Sequence, residues 1–319
     1  METSSRKQSS YPASLTAIPE VDRHTGTWAR PIGAVLPLPD SRDVRPRVHP
    51  TAIVERGAEL GPGVEIGPFS YVGPHVTLGE GTSVGLHAIL EGWTTIGPRC
   101  QIHHGAVIGN IPQDLKFRGV PTKVVVGSDT TIREYTTIHA ATEEGEATIV
   151  GDRVLLMAYT HVAHNCRLGN NVILANAVTL AGHVRVDDYA IIGGLTPIHQ
   201  FVAIGAHSFI GGGSRVPQDV PPFVKAAGNP LRACGLNSVG MERRGIPAEV
   251  RLEMKRAYRI LYRSQQPQYG RHSWGVCWLR HQPDTRRPVC RAGVHTPTDP
   301  THFTKYACRR GNGGYPGAG

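Results

Sequence analysis

The sequence predicts an all-β solenoid, a parallel β-helix of hexapeptide repeats closed by a short α-helical C-terminal segment. Three observations predict it. From Val54 to Val216 a branched aliphatic residue returns every sixth position: of the 28 residues in that phase, 26 are Val, Ile or Leu. The two exceptions, Asp114 and Glu144, fall inside the polar segments IPQDLKFRGVPTK and HAATEEGEAT, and the phase resumes unchanged after each, so both read as loops pushed out of a repeating wall. A small residue commonly follows the aliphatic, as at Gly61, Gly67, Gly79, Gly97, Gly169 and Gly193.

A period of six is neither the 3.6 of a helix nor the alternation of an ordinary strand. Short flat runs, each with one inward aliphatic and joined by tight corners, satisfy it. Three runs make a triangular coil of 18 residues, so residues 18 apart stack at the strand spacing of roughly 4.8 Å. The glycines are expected to serve the corners, because glycine adopts positive φ without a steric penalty.

In chain order, residues 1–47 are rich in Ser, Thr, Pro and Arg without periodicity and read as disordered or as an upstream extension; Glu2, Glu20 and Asp22 count against a transit peptide. Residues 48–220 are the β-helix. Residues 221–264 read as a linker and partial helical cap: QDVPPFVKAAGNP breaks the period with prolines, and a helix follows Pro247 with Val250, Met254, Tyr258 and Leu261 at helical spacing. Residues 265–319 show no sustained apolar period and read as a divergent, disordered tail.

Composition narrows the function classes. No run of 18 apolar residues exists, and the N-terminus lacks the apolar core of a secretory signal, so a soluble cytoplasmic protein with no stable membrane insertion is expected. The six cysteines show neither a close-set framework nor CxxC spacing, which fits reduced thiols. The formal charge of +9 invites a nucleic-acid partner, but residues 265–319 contribute +6 and residues 1–46 contribute +1, leaving about +2 on the middle. The basic excess is a property of the tail, and no nucleic-acid face is expected.

The chemistry concentrates in LLMAYTHVAHNCRLG and the NVILANAVTLAGHVRVDDYAIIGGLTPIHQF that follows. His164, Gly182 and Gln200 are 18 apart and share one column; His183 and His199 stand beside it, and His161 just before it. Four readings fit so many imidazoles at adjacent corners. His164 can be a general base, with a glycine N–H of the next coil stabilising an oxyanion. Three histidines can hold zinc between subunits, as in a carbonic-anhydrase-like member of the β-helix class. His, Lys116 and the Arg243–Arg244 pair can bind phosphate. The stacked rings can be interface packing alone.

The segments HPTAIV, IGPFSYVGPHVTLGEGT, QDLKF, TIH, AHNC, LAGHVRVDDYAIIGGLTPIHQF, QDVPPF and GLNSVGMERRG resemble the UDP-N-acetylglucosamine O-acyltransferases of lipid A biosynthesis, nearly continuously from Val48 to Ser264. The resemblance implies a left-handed parallel β-helix, a homotrimer with sites between subunits, and transfer of a 3-hydroxyacyl chain from acyl carrier protein to the sugar 3-hydroxyl. It also implies roles: His164 as base and the Gly182 N–H as oxyanion donor; His161, His183, His199 and Gln200 for the sugar and acyl-pantetheine region; Asp114 and Lys116 for the sugar; Asn237, Arg243 and Arg244 for the nucleotide and donor end. Gly212 aligns with the position that sets acyl length, where an open groove takes a long chain of about fourteen carbons, each buried CH₂ adding roughly 0.8 kcal/mol. No metal or resident cofactor is expected, because a thioester is already activated and the acyl group arrives on the carrier's phosphopantetheine. Asn165 stands where the family usually has Asp, a feature shared with the N-acyltransferase of the same pathway, so a carboxylate orienting the base is expected from elsewhere.

Overall fold

In the computed structural model the described residues are 45–263; the expectations for residues 1–44 and for the tail lie outside them. From β1 (Arg47–Val48) to β25 (Phe209–Ile210), strands of two to four residues succeed one another around a triangular prism. Every third strand joins the same parallel sheet: sheet I begins with β1, sheet II with β2 (Ile53–Val54) and sheet III with β3 (Glu59–Leu60). Partners in regular coils are 18 residues apart, as in Val48↔Ile66 and Ile173↔Ile191. Where the two loops leave, the offset becomes 30 (Trp93↔Lys123) and then 24 (Lys123↔Ala147). The insertions are therefore 12 and 6 residues, multiples of the repeat, which is why the aliphatic phase survives them.

Each repeat buries two side chains rather than the single one the period suggests. The phase residue is inward, with Val72, Leu90, Ile138, Val162 and Leu180 fully buried, and so is the residue two before it, among them Val76, Cys100, Val154, Cys166 and Val184. Where that second position is Ser or Thr, most of the hydroxyls donate to a corner carbonyl, of the neighbouring coil for Ser70 (to Gly85, 2.6 Å) and Thr130 (to Gly151, 2.9 Å) and of their own corner for Ser214 (to Gly211, 2.6 Å), while the buried Ser208 Oγ has no partner. The bonded hydroxyls are satisfied without interrupting the stack.

The glycines do not work as expected. Positive φ falls three residues after the phase aliphatic, mostly at non-glycine residues such as Asn165 (58°), His183 (60°) and Tyr189 (60°). Apart from Gly109 (91°), the glycines immediately after the aliphatic have ordinary φ and instead permit close approach. A Cβ at Gly97 or Gly151 would lie 2.7 Å or 2.6 Å from backbone of the neighbouring coil.

The linker expected over residues 221–236 is a continuation of the wall. β26 (Val224–Ala227) adds to sheet I with Ile210↔Ala226 in register, and β27 (Arg232–Leu236) turns back antiparallel at its edge. Val224 and Ala226 extend the buried column, so the prolines bend the chain without ending the sheet. Helix α1 (Ser238–Arg243) and helix α2 (Ala248–Arg263) follow. Tyr258 anchors α2 on the core, 8% exposed, and its hydroxyl donates to the Ala233 carbonyl at 3.3 Å; Val250, expected on the same face, is 43% exposed. No helix among the described residues is long and apolar enough to cross a membrane.

Candidate active site

The prism has three edges, and the site is built on the one joining sheet II to sheet III. Both loops leave here: 111–122 between β11 (Val107–Asn110) and β12 (Lys123–Val126), and 140–146 between β14 (Thr137–His139) and β15 (Ala147–Val150). The next three corners of the same edge carry His164 and Asn165, then Gly182 and His183, then His199, Gln200 and Phe201. The stacking follows from the backbone bonds, with the His183 N–H donating to the His164 carbonyl (3.0 Å) and the Phe201 N–H to that of Gly182 (3.1 Å).

Gly182 gives up its side chain to the His164 imidazole. A Cβ there would lie 2.5 Å from His164 Nε2, so only glycine leaves room for the imidazole. Its N–H is left free by the wall. At equivalent turn positions this N–H is absent, as in Pro68 and Pro98, has no acceptor among the described residues, as in Ala158 and Ala206, or is capped by a side chain of the following coil. Ser128, Asp152 and Asn170 donate in this way to Asp152 Oδ1 (2.8 Å), Asn170 Oδ1 (2.7 Å) and Asp188 Oδ1 (2.7 Å). The Gly182 N–H has no acceptor among the described residues.

The other imidazoles converge on this corner. His183 meets His164 edge to face at 5.1 Å and stacks on Phe201 at 4.7 Å. His161 Nδ1 is 2.7 Å from Thr137 Oγ1, and its ring meets His139 edge to face at 4.9 Å. Burial, then the neighbouring His139 and His164, pushes His161 down to about 4; His183 is lowered by burial and by His164, against the pull of Glu143, Asp114 and Glu146. Asp114 therefore lies within electrostatic reach of His183, and its Oδ1 accepts the Lys116 N–H (2.9 Å) while the Lys116 side chain is exposed. His199 and Gln200 are exposed, with His199 Nδ1 3.1 Å from the Gln200 carbonyl.

Two residues at this corner carry more than the sequence suggested. His139 is 5% exposed, and its Nδ1 has no partner. The motif TIH held it, but nothing in the hexad phase marks the residue after an inward Ile. The orienting group for His164 is Asn165 itself and not a distant carboxylate: Asn165 Oδ1 is 3.0 Å from His164 Nδ1 and also accepts from Thr142 N (3.1 Å) and Thr142 Oγ1 (2.9 Å). Thr142, in the second loop, gives no signal in the sequence.

The remaining expected residues lie on other edges. Gly212 follows Gly194 on the edge joining sheets I and II, where its Cβ position is 3.2 Å from the Gly194 carbonyl oxygen. Arg244 lies over Tyr189 on the edge joining sheets III and I, 4.5 Å from the ring centroid, above a stack of Tyr189, His207 and Phe223 at 4.8 and 4.9 Å. Arg243 is exposed in the last turn of α1. Asn237 caps α1: its Oδ1 accepts from Gly240 N (3.1 Å), and its Nδ2 donates to the His207 carbonyl (2.9 Å). Within one chain the basic end and the histidine corner do not meet.

Known proteins are similar to this chain in sequence and fold. The family profile described as UDP-N-acetylglucosamine O-acyltransferase, domain 2, matches residues 219–270, and that of the bacterial transferase hexapeptide matches residues 147–182. An acyl-[acyl-carrier-protein]–UDP-N-acetylglucosamine O-acyltransferase of Paraburkholderia phymatum is 51% identical over 68% of this chain and 84% of its own length. One of Synechocystis is 50% identical over 70% and 80%. Among solved structures, LpxA from Acinetobacter baumannii has a TM-score of 0.69 at 38% identity, covering 72% of this chain and 89% of that one; the UDP-N-acetylglucosamine acyltransferase from Campylobacter jejuni scores 0.66 at 41%, covering 69% and 86%. The fold is thus a left-handed parallel β-helix with short C-terminal helices. Likeness at that identity over most of each relative's length, together with the imidazole seated beneath a side-chain-free corner, makes this chain a member of the UDP-N-acetylglucosamine O-acyltransferase family.

Proposed function

We propose that this chain transfers a 3-hydroxyacyl group from the phosphopantetheine of acyl carrier protein to the 3-hydroxyl of UDP-N-acetylglucosamine, the first step of lipid A biosynthesis. The observation that carries the chemistry is the Gly182 corner, where one residue makes room for the His164 imidazole and leaves a backbone N–H uncommitted. His164 Nε2 removes the hydroxyl proton as the sugar oxygen attacks the thioester carbonyl, and the Gly182 N–H stabilises the oxyanion. Collapse breaks the C–S bond, and the departing pantetheine thiolate takes the proton from the imidazolium. His161, His183, His199, Gln200, Asp114 and Lys116 surround the sugar and pantetheine. No resident cofactor is needed, because the thioester brings its own activation.

Asn237, Arg243 and Arg244 serve the nucleotide and donor end, and their place on another edge supports a homotrimer in which one chain's basic edge faces the next chain's histidine corner. The compartment that fits the substrates is the cytoplasm. The test offers one hydroxyacyl carrier-protein donor with either UDP-N-acetylglucosamine or a glucosamine amine as acceptor. An ester on the 3-hydroxyl is expected. Amide formation alone would assign the N-acyltransferase reaction instead, and binding of the UDP-sugar without turnover would make the chain a scaffold.

A further inference from the structure

The base in this protein has a neutral partner, and the geometry shows why an amide can do that work. An Asn side chain can present either its oxygen or its NH₂ group, and its other contacts decide which. The Thr142 backbone N–H can only donate, so the Asn165 atom 3.1 Å away is the oxygen, which also accepts from Thr142 Oγ1 at 2.9 Å. The same oxygen is 3.0 Å from His164 Nδ1. A nitrogen facing an obligate acceptor must carry a proton, and neutral imidazole has only one, so Nε2 keeps its lone pair. Nε2 is the atom nearest the Gly182 corner among the ring nitrogens, 2.5 Å from the Cβ position there against 3.1 Å for Nδ1.

Asn165 is itself held from the other side. Its N–H donates to the buried Thr148 hydroxyl at 2.9 Å, and its φ of 58° lies in the left-handed region that Asn and Asp tolerate best among residues with a Cβ. The contrast with a serine-protease triad is instructive. There, Asn in place of Asp leaves the geometry intact but sets the wrong tautomer, at a cost of about 10⁴-fold in kcat. Here an amide turned that way would bring its NH₂ against the Thr142 N–H, donor facing donor.

We propose that Asn165, locked by Thr142, is the positioning residue that holds His164 in the Nδ1–H tautomer without adding charge. The proposal rests on the reading of His164 as base. A neutral partner lends no Coulombic support to the imidazolium, whereas a carboxylate at the same place favours the charged ring. The groups facing His164 from other elements are the imidazoles of His139, His161 and His183; Asp114, Glu143 and Glu146 on the loops act on His183. Asn165→Asp should keep the tautomer and move the acid limb of the kcat/KM profile up by about one pH unit. Asn165→Ala should lower kcat roughly 10 to 100-fold, the usual cost of losing an orienting partner, with little change in KM for the sugar.

The deciding measurement is nitrogen NMR of the full-length protein labelled with ¹⁵N-histidine, the His164 signals being the pair lost in His164→Gln. A protonated Nδ1 and a lone-pair Nε2 are expected in the unmodified protein, and the only variant the reading needs is His164→Gln, folded as judged by its unchanged remaining histidine signals. An Nε2–H ring, or an Asn165→Ala enzyme with unchanged kcat and pH profile, would overturn the proposal. Because the spectrum needs no turnover, the two readings separate: an Nδ1–H ring with an active His164→Ala variant upholds the positioning and rejects the base, while an Nε2–H ring with an inactive variant rejects the positioning and upholds the base.

Discussion

Gly182→Ala is the smallest change that puts the whole site to the test. The added methyl carbon would lie 2.5 Å from His164 Nε2 and 3.1 Å from Nδ1, whereas ordinary contact begins near 3.4 Å, so the ring must retreat by about 1 Å. Cε1 is struck hardest, and Nε2, the atom proposed to take the proton, comes next. A misplacement of about 1 Å costs on the order of 100-fold in rate, and the larger figure of roughly 10,000-fold applies if the ring leaves the corner altogether. Folding should be spared. Gly182 has no positive φ, so alanine strains no backbone, and its smaller unfolded-state entropy contributes about 0.4–1 kcal/mol toward stability, partly offset by the displaced ring. Steady-state transfer from a hydroxyacyl carrier protein, with melting followed in parallel, measures both. A folded Gly182→Ala protein within twofold of the parent's kcat would show that the imidazole does not work where the structure puts it.

Three further outcomes are expected. His164→Ala should fold and lose roughly 100 to 10,000-fold in transfer rate; near-normal turnover would remove it as base. Stability should decline on acidification from about pH 6.5 to about pH 4, because burial keeps His161 neutral down to about 4 while the unfolded chain takes up its proton near the ordinary value of 6.5, so the unfolded state binds more protons in that window. His139 and His183 are lowered in the same sense, and His161→Gln should flatten the slope of the urea midpoint without abolishing it; an unchanged slope would discard the assignment. Gly212→Met should shift donor preference toward chains shorter than about fourteen carbons, since Gly212 is exposed at ordinary φ and each buried CH₂ the methionine displaces forfeits roughly 0.8 kcal/mol. Equal use of long and short donors by the unmodified protein would show that Gly212 does not set the length.

What the sequence revealed and what it hid divide along a physical line. The period of six is a packing constraint repeated coil after coil, so the inward positions, the stacking of His164 on Gly182 and the loops around Asp114 and Glu144 could all be read from spacing. The corner glycines were misread because sequence shows which residue is small, not whether a neighbour's backbone or a positive φ requires it. Residues 221–236 looked like a linker because prolines interrupt the phase, yet Val224 and Ala226 still enter the buried column. Thr142 was invisible for a different reason. Its role depends on a loop of irregular path returning to a residue 23 positions later, and no period encodes that contact.

The two insertions show how a uniform scaffold acquires a single reactive place. A prism of identical coils offers the same corner many times, and the edge between sheets II and III has no intrinsic advantage over the other two. Both insertions leave from this edge, in the two coils immediately preceding His164, and each is a whole number of repeats, so the wall above and below stays in register. The first supplies Asp114 within electrostatic reach of His183; the second supplies the Thr142 donors that fix Asn165. Because each loop leaves and re-enters the wall at one corner, the coils after it keep their inward aliphatics, Val126 and Val150 among them. Function is therefore carried by departures that leave the repeat intact: two loops, one corner without a side chain, and one amide whose orientation a loop decides.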